Sequence, residues 1–262
     1  MDSPISLTHE NDIATVTFSR PDKRNAIDYQ GWIELKRIVD CLAVDDGVRV
    51  VIFTGQGEKA FSSGADIKDF AEYRKSSQTA KDYAVAFDGA LKAIEEMPKP
   101  TISLIKGFCV GGGCELAMAT DIRVSAENGR FGIPVARLSI LVGYHEMRRL
   151  VGLVGPGNAK YLLLSGRLID SQDALRIGMV NCVVPIEEAD RYACALAQEV
   201  SMLAPLSHKR HKEILRTVVT NPNIADLTCE EENLPFANFD SEDFLEGQSA
   251  FLERRPPKFK GK

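Results

Sequence analysis

Short apolar runs of strand length alternate with segments of helical period through the first 125 residues, and this alternation constrains the fold more than any other feature of the chain. Ile5 to Leu7 and Ile13 to Phe18 alternate apolar and polar residues, as half-buried strands do. Arg20-Pro21-Asp22 breaks that pattern. Asp28 then reads as the N-cap of a helix on which Trp32, Leu35, Ile38, Val39 and Leu42 recur at spacings of three and four. Val48 to Thr54 is a continuous apolar run, the mark of a strand covered on both faces. Gly55 to Gly64 reads as a loop. A second helix is expected from about Thr79 to Met97, ended by Pro98 and Pro100. Thr101 to Ile105 and Ile122 to Ser125 read as further strands, with a glycine-rich turn (Gly107 to Gly113) and a short helix (Glu115 to Ala119) between them.

Strands alternating with helices imply an α/β layer architecture. After Asn181-Cys182-Val183-Val184 the pattern becomes almost wholly helical, punctuated by Pro205, Pro222 and Pro235. This divides the chain into an α/β core over 1–185 and a helical C-terminal region over 186–262. The basic end from Arg254 to Lys260 reads as extended or mobile. No tandem repeat of 20 to 50 residues is visible in the sequence.

Composition removes several classes. Apolar stretches such as Val50-Val51-Ile52-Phe53 fall far short of the roughly 20 residues of a membrane-spanning helix. The start, Met1-Asp2-Ser3-Pro4, has neither a basic n-region nor an apolar h-region, so no signal peptide and a cytoplasmic setting are expected. With 32 basic and 37 acidic residues the net charge is −5, which counts against a nucleic-acid binder despite the basic run from Ser207 to Lys212. Six cysteines without a CxxC read as reduced, mostly buried thiols. His208 and His211 are crowded by Lys209, Arg210 and Lys212, which predicts a solvated helix face and no metal site.

Gly55-Gln56-Gly57-Glu58-Lys59-Ala60 matches a dinucleotide fingerprint on paper. Glu58 would sit where pyrophosphate must approach, and Phe61-Ser62-Ser63-Gly64 does not open a helix, so the segment reads as a turn. Two other segments are more informative. Ser62-Ser63-Gly64-Ala65-Asp66-Ile67 lies at a loop-to-helix junction. Gly111-Gly112-Gly113 opens a helix, where backbone can approach a ligand closely and present free N–H groups to an oxyanion. Glu115 follows among Cys114, Leu116 and Ala117, and burying a carboxylate without a task is costly.

Taken in order, Arg20 to Ala26, Phe61 to Ile67, Gly107 to Ala117 and Phe131-Gly132-Ile133-Pro134 resemble the successive signatures of the enoyl-CoA hydratase/isomerase (crotonase) superfamily. Leu175 to Asn181 and Glu246 to Arg254 match as well, so the resemblance covers nearly the whole chain. It implies a spiral of repeated ββα units with a helical C-terminal region serving trimerisation, in a homo-trimer or hexamer. It implies an acyl-CoA thioester as substrate, with coenzyme A part of that substrate and no separate cofactor. The backbone N–H groups of Ala65 and Gly112 would form the oxyanion hole, and Glu115 would activate water at Cβ. Lys23, Arg24 and Ala26 would line the CoA path, with Ser63, Asp66 and Ile67 near adenine and pantetheine. Arg254 would reach a neighbouring subunit's CoA, or else be a solvated tail charge.

One departure matters. Hydratases of the family carry a second glutamate directly after the Phe-Gly-x-Pro signature, and here that position, lining the substrate pocket, is Val135. General acid–base help contributes roughly 10² to 10⁴ in rate, so poor hydration of crotonyl-CoA is expected unless another group substitutes. Isomerase, decarboxylase and hydrolase chemistry on an acyl-CoA therefore stand as alternatives to hydratase chemistry. Tyr144, His145 and Glu146 are candidates for a replacement acid or base; Glu146 paired with Arg148 or Arg149 at a helix start is the plainer alternative.

Overall fold

The computed structural model describes residues 4–221 and 223–262. The sequence expectations for residues 1–3 and for Pro222 as a helix stop lie outside the described residues. Strands β1 (Ile5–Glu10) and β2 (Ile13–Phe18) form an antiparallel hairpin, with Ile5 opposite Phe18 and Glu10 opposite Ile13. Helix α1 (Tyr29–Val44) starts where expected, because the Asp28 carboxylate accepts the Gly31 N–H at 2.8 Å. The chain then runs through β3 (Val50–Gly55), β4 (Ala60–Ser62), the short α2 (Phe70–Tyr73) and α3 (Ser77–Glu96), the last opened by a Ser76–Thr79 capping box. Next come β5 (Thr101–Ile105), β6 (Phe108–Val110) and α4 (Gly112–Ala119). They are followed by β7 (Ile122–Ala126), β8 (Arg130–Gly132) and α5 (Tyr144–Ser165).

Strand, strand, helix thus recurs, and from β3 onward the two strands of each unit part company. The first joins a six-stranded sheet ordered β1-β2-β3-β5-β7-β10, and the second joins a four-stranded sheet ordered β4-β6-β8-β9. These units are the turns of a ββα spiral, with parallel pairing between successive turns. The remaining strands are β9 (Ile169–Asp170), antiparallel to β8, and β10 (Cys182–Val184), parallel to β7, with α6 (Ser171–Arg176) between them. The C-terminal region is helical: α7 (Ala189–Ser201), α8 (Pro205–Thr220), α9 (Cys229–Asn233) and α10 (Glu242–Glu253).

The continuous apolar runs follow from burial on both faces of the large sheet. On β3, Val51 and Phe53 pack into the core shared with α1 and α3. Val50 and Ile52 face the other way, against Ala189, Ala193 and Ala197 of α7. Small alanines at a four-residue spacing let that helix lie close to the strands. Inside the first core the Trp32 indole N–H donates to the Tyr83 hydroxyl at 2.8 Å, joining α1 to α3.

Several expectations need correction. The Gly55–Gly64 loop contains β4, too short for a periodic signal. The hydrophobic effect does not bury most cysteines: Cys109 and Cys114 are buried and Cys182 is half-buried, but Cys41, Cys194 and Cys229 are exposed. The basic tail is extended but anchored. Asp243 accepts the Lys260 and Gly261 N–H groups at 2.7 and 2.9 Å, and Glu246 binds the Arg255 guanidinium and the Lys258 N–H. Among the described residues no helix is long and apolar enough to cross a membrane.

Candidate active site

Two sequence motifs far apart in the chain are laced together. Asn25 is buried in a left-handed conformation, and its amide donates to the Ala60 carbonyl at 2.7 Å. The Ser62 hydroxyl donates back to the Asn25 carbonyl at 2.8 Å, and the Ser63 N–H to the Arg24 carbonyl at 2.9 Å. Ile27 and Ala65 form a parallel bridge, in which the Ile27 N–H donates to the Gly64 carbonyl and the Asp66 N–H to the Ile27 carbonyl, at 2.8 and 2.9 Å. That ladder uses the neighbours of Ala65 and not its own N–H. Asp66 closes the junction through Arg20 at 2.8 Å and Lys23 at 3.4 Å. Burial pushes the Asp66 carboxyl up, but the Lys68 N–H, Arg20 and Lys23 outweigh it and hold the group below its ordinary range.

The glycine turn abuts this junction. A Cβ on Gly64 would lie 2.5 Å from the Gly112 nitrogen, one on Gly113 would lie 2.3 Å from the Ser62 carbonyl oxygen, and Gly64 has a φ of +85°. Only glycine permits that approach. It brings the Gly112 backbone beside the Ala65 nitrogen, which stands 3.4 Å from where a Gly112 Cβ would be. Gly112 is the first residue of α4, so its N–H has no helical acceptor one turn back. The Gly111 N–H is spent on the Gly132 carbonyl at 2.9 Å. The residues expected to supply two amides to one oxyanion are therefore adjacent.

Glu115 sits in the first turn of α4 and is buried. Burial, and after it the Glu146 carboxylate, pushes its carboxyl up to about 8, against the opposing charge of Arg74. The group is thus protonated at neutral pH. Helix α4 packs against both α3 and α5, which places Asp88 and Glu146 in the surroundings of Glu115. Glu146 is 3% exposed and its Oε1 lies 3.3 Å from Arg149, which also grips Glu95 at 2.7 Å. Burial first, then the charge and hydrogen bond of Glu146, raise the Asp88 carboxyl to about 6. Tyr144 and His145 are exposed and do not line the cavity.

One cavity of about 1130 Å³ gathers these groups. Lys23, Arg24, Ala26, Ser63, Ala65, Asp66, Ile67, Gly112, Glu115 and Val135 all line it, so these ten residues singled out from the sequence border the same space. Arg254 does not border it; it ends α10 in a left-handed conformation. Gly55 ends β3 and Gly57 lies in the turn before β4, both outside the cavity lining. Among the described residues no group of three or more His, Cys, Asp or Glu is arranged to hold a metal ion.

The family model for enoyl-CoA hydratase/isomerase matches residues 8–262. The chain belongs to the enoyl-CoA hydratase/isomerase family. It is 35% identical to the crotonyl-CoA hydratase of Syntrophomonas wolfei over 259 residues, covering 97% of each chain. It is 35% identical to a carnitinyl-CoA dehydratase of Escherichia coli over 272 aligned positions, covering 100% of both. Among solved structures, an enoyl-CoA hydratase/carnithine racemase from Magnetospirillum magneticum superposes with a TM-score of 0.96 at 35% identity, covering 100% of this chain and 97% of that one.

Within this family member, sequence reasoning missed Asp88 and Arg74. Asp88 stands next to Phe87 on the edge of the apolar stripe Tyr83, Phe87, Ala90, Leu91 and Ile94. A carboxylate bordering a buried stripe was the available signal, but nothing in the sequence set it apart from an ordinary helix-surface acid. Arg74 lies over the Tyr83 ring at 4.0 Å, in the segment between α2 and α3, where no periodicity marks a residue as turned inward.

Proposed function

We propose that the protein is a hydratase-type lyase that interconverts an enoyl-CoA thioester and its 3-hydroxyacyl-CoA. The observation that carries this reading is the meeting of the Ala65 and Gly112 backbones beside the buried Glu115 in one cavity. In the hydration direction the two N–H groups hold the thioester oxygen as it takes on enolate charge, and Glu115, in its ionised form, takes a proton from the water that adds at Cβ. Loss of one such donor typically costs about 3 to 4 kcal/mol of barrier. Backbone donors suit the task because the fold already fixes them, so they reorganise little as charge develops. Family membership and hydratase relatives at 35% identity support the same reading.

Lys23, Arg24, Ala26, Ser63 and Ile67 take the CoA part of the substrate, with Asp66 orienting Lys23. The chain's net charge is −5, so recognition of a polyanion rests on these local groups. CoA enters and leaves as part of the substrate, without a resident cofactor, in a cytoplasmic enzyme that assembles as a homo-trimer or hexamer. Val135, which cannot exchange protons, favours a second reading in which the same cavity runs isomerisation, decarboxylation or hydrolysis of an acyl-CoA. Mass analysis separates the two: hydration adds one water to an enoyl-CoA, and isomerisation leaves its mass unchanged. Glu115→Gln is expected to lower kcat by about 10² to 10⁴ while acyl-CoA still raises the melting temperature. Full activity in that variant removes Glu115 from the mechanism.

A further inference from the structure

Besides Glu115 and Asp66, the cavity is lined by two further carboxyl groups, Asp88 and Glu146, and they lie against one another. We propose that Asp88 is a second catalytic residue, the base that takes and returns the substrate's α-proton, and that Glu146 is the positioning residue held beside it. The proposal rests on the acyl-CoA lyase reading above and supplies the group that Val135 cannot.

Three helices make the arrangement. Asp88 comes from α3, Glu115 from α4 and Glu146 from α5, and α4 contacts both of the others. All three side chains line the cavity that holds Ala65 and Gly112. The Glu146 carboxyl lies close enough to Asp88 for its charge and hydrogen bonding to raise the Asp88 carboxyl. Glu146 is fixed for this role. Arg149 holds its Oε1 at 3.3 Å and is itself held by Glu95. Its Oε2 folds over Gly143, where any Cβ would come within 2.4 Å of it. Asp88 is the half-buried member and is the one open to substrate. The titratable and charged groups that act on Asp88 besides Glu146 are His145 and Arg149 on α5, and Glu115 on α4 is acted on by both carboxyls together with Arg74 and Arg149.

The resting charges suit dehydration. Burial keeps Glu115 protonated at pH 7, while the Asp88 carboxyl, raised to about 6, is largely ionised. In that direction Asp88 takes the α-proton and the bonding electron pair passes to the thioester enolate. The Cβ–O bond then breaks, Glu115 gives its proton to the departing hydroxide, and water leaves with the enoyl-CoA. Asp88 now holds a proton and Glu115 has lost one, and transfer between them through the released water restores the start. Hydration is the reverse.

Exchange of the α-hydrogens of butyryl-CoA in deuterated water isolates the Asp88 step, because no Cβ–O bond is involved. Wild type is expected to exchange. Asp88→Asn should lose exchange by about 100-fold or more, and Asp88→Glu should recover part of it. Glu115→Gln should keep exchange within about tenfold while losing hydration. Glu146→Gln removes the charge beside Asp88, so the pH midpoint for exchange should fall from near 6 by about one unit, which lost packing alone does not produce. Retained stabilisation of each variant by butyryl-CoA shows that its site is still folded. Undiminished exchange in Asp88→Asn, or no exchange in wild type, overturns the proposal. Asp88-dependent exchange in an enzyme that hydrates no enoyl-CoA upholds the Asp88 assignment and rejects the hydratase reading instead.

Discussion

Single residues set the electrostatics of the site, and Glu115 does so at a cost to stability. Its carboxyl is raised from an ordinary value of 4.5 to about 8, so between those pH values the folded state binds more protons than the unfolded chain. Stability is therefore fully supported below pH 4.5 and declines as pH rises through about 8. Glu115→Gln keeps the shape and cannot ionise. At pH 8.5 it should be more stable than wild type by on the order of 2 kcal/mol, with the gap closing toward pH 5, as measured by urea unfolding at both pH values. The glycines of the turn offer a contrast of the opposite kind. A Cβ on Gly112 meets the edge of the Phe87 ring at 3.1 Å and the Ala65 nitrogen at 3.4 Å, whereas one on Gly113 meets backbone at 2.3 Å. Gly112→Ala should fold with a near-normal melting temperature and lose at least tenfold in kcat. Gly113→Ala should lose several kcal/mol of stability, by roughly the scale of other overpacking changes.

At the scale of elements, the site depends on three helices holding their places. Helix α3 carries Asp88 and is tied to α1 by the Trp32–Tyr83 hydrogen bond inside a fully buried cluster, with Trp32 also edge-on to Phe87 at 4.7 Å. Tyr83→Phe keeps the ring and leaves the indole N–H without its acceptor. That should cost about 1 to 3 kcal/mol in chemical denaturation, the usual penalty for a stranded buried donor. A drop in kcat at unchanged KM in the same variant would reflect a shifted α3 and not lost substrate contacts.

At the scale of the molecule, the described surface is more apolar than a lone subunit needs. Phe251 and Leu252 on α10 are 84% and 76% exposed, and Phe236, Phe239, Leu245, Val218 and Val219 of the same helical region are more than half exposed. Those side chains are expected to be covered by further copies of the chain. Sedimentation or light scattering should give about three or six times the 28.8 kDa subunit mass, and a monomer at micromolar concentration would contradict that assembly.

The sequence by itself determined the α/β character, the positions of most strands and helices, the family and the ten residues that turned out to line one cavity. Those features are written locally, in hydrophobic period, cap residues and glycines required by tight turns, or in motifs whose order the chain preserves. Only the tertiary structure decided the rest. The ββα repeat left no sequence repeat, because each turn packs different side chains and needs only matching strand and helix lengths. The tail proved anchored because Asp243 and Glu246 happen to face its amides. Asp88, Glu115 and Glu146 lie on three helices separated by 27 and 31 residues of chain, and no local pattern announces that they share one pocket. Their proton affinities arise from burial and from one another's charge, which exist only once the helices pack.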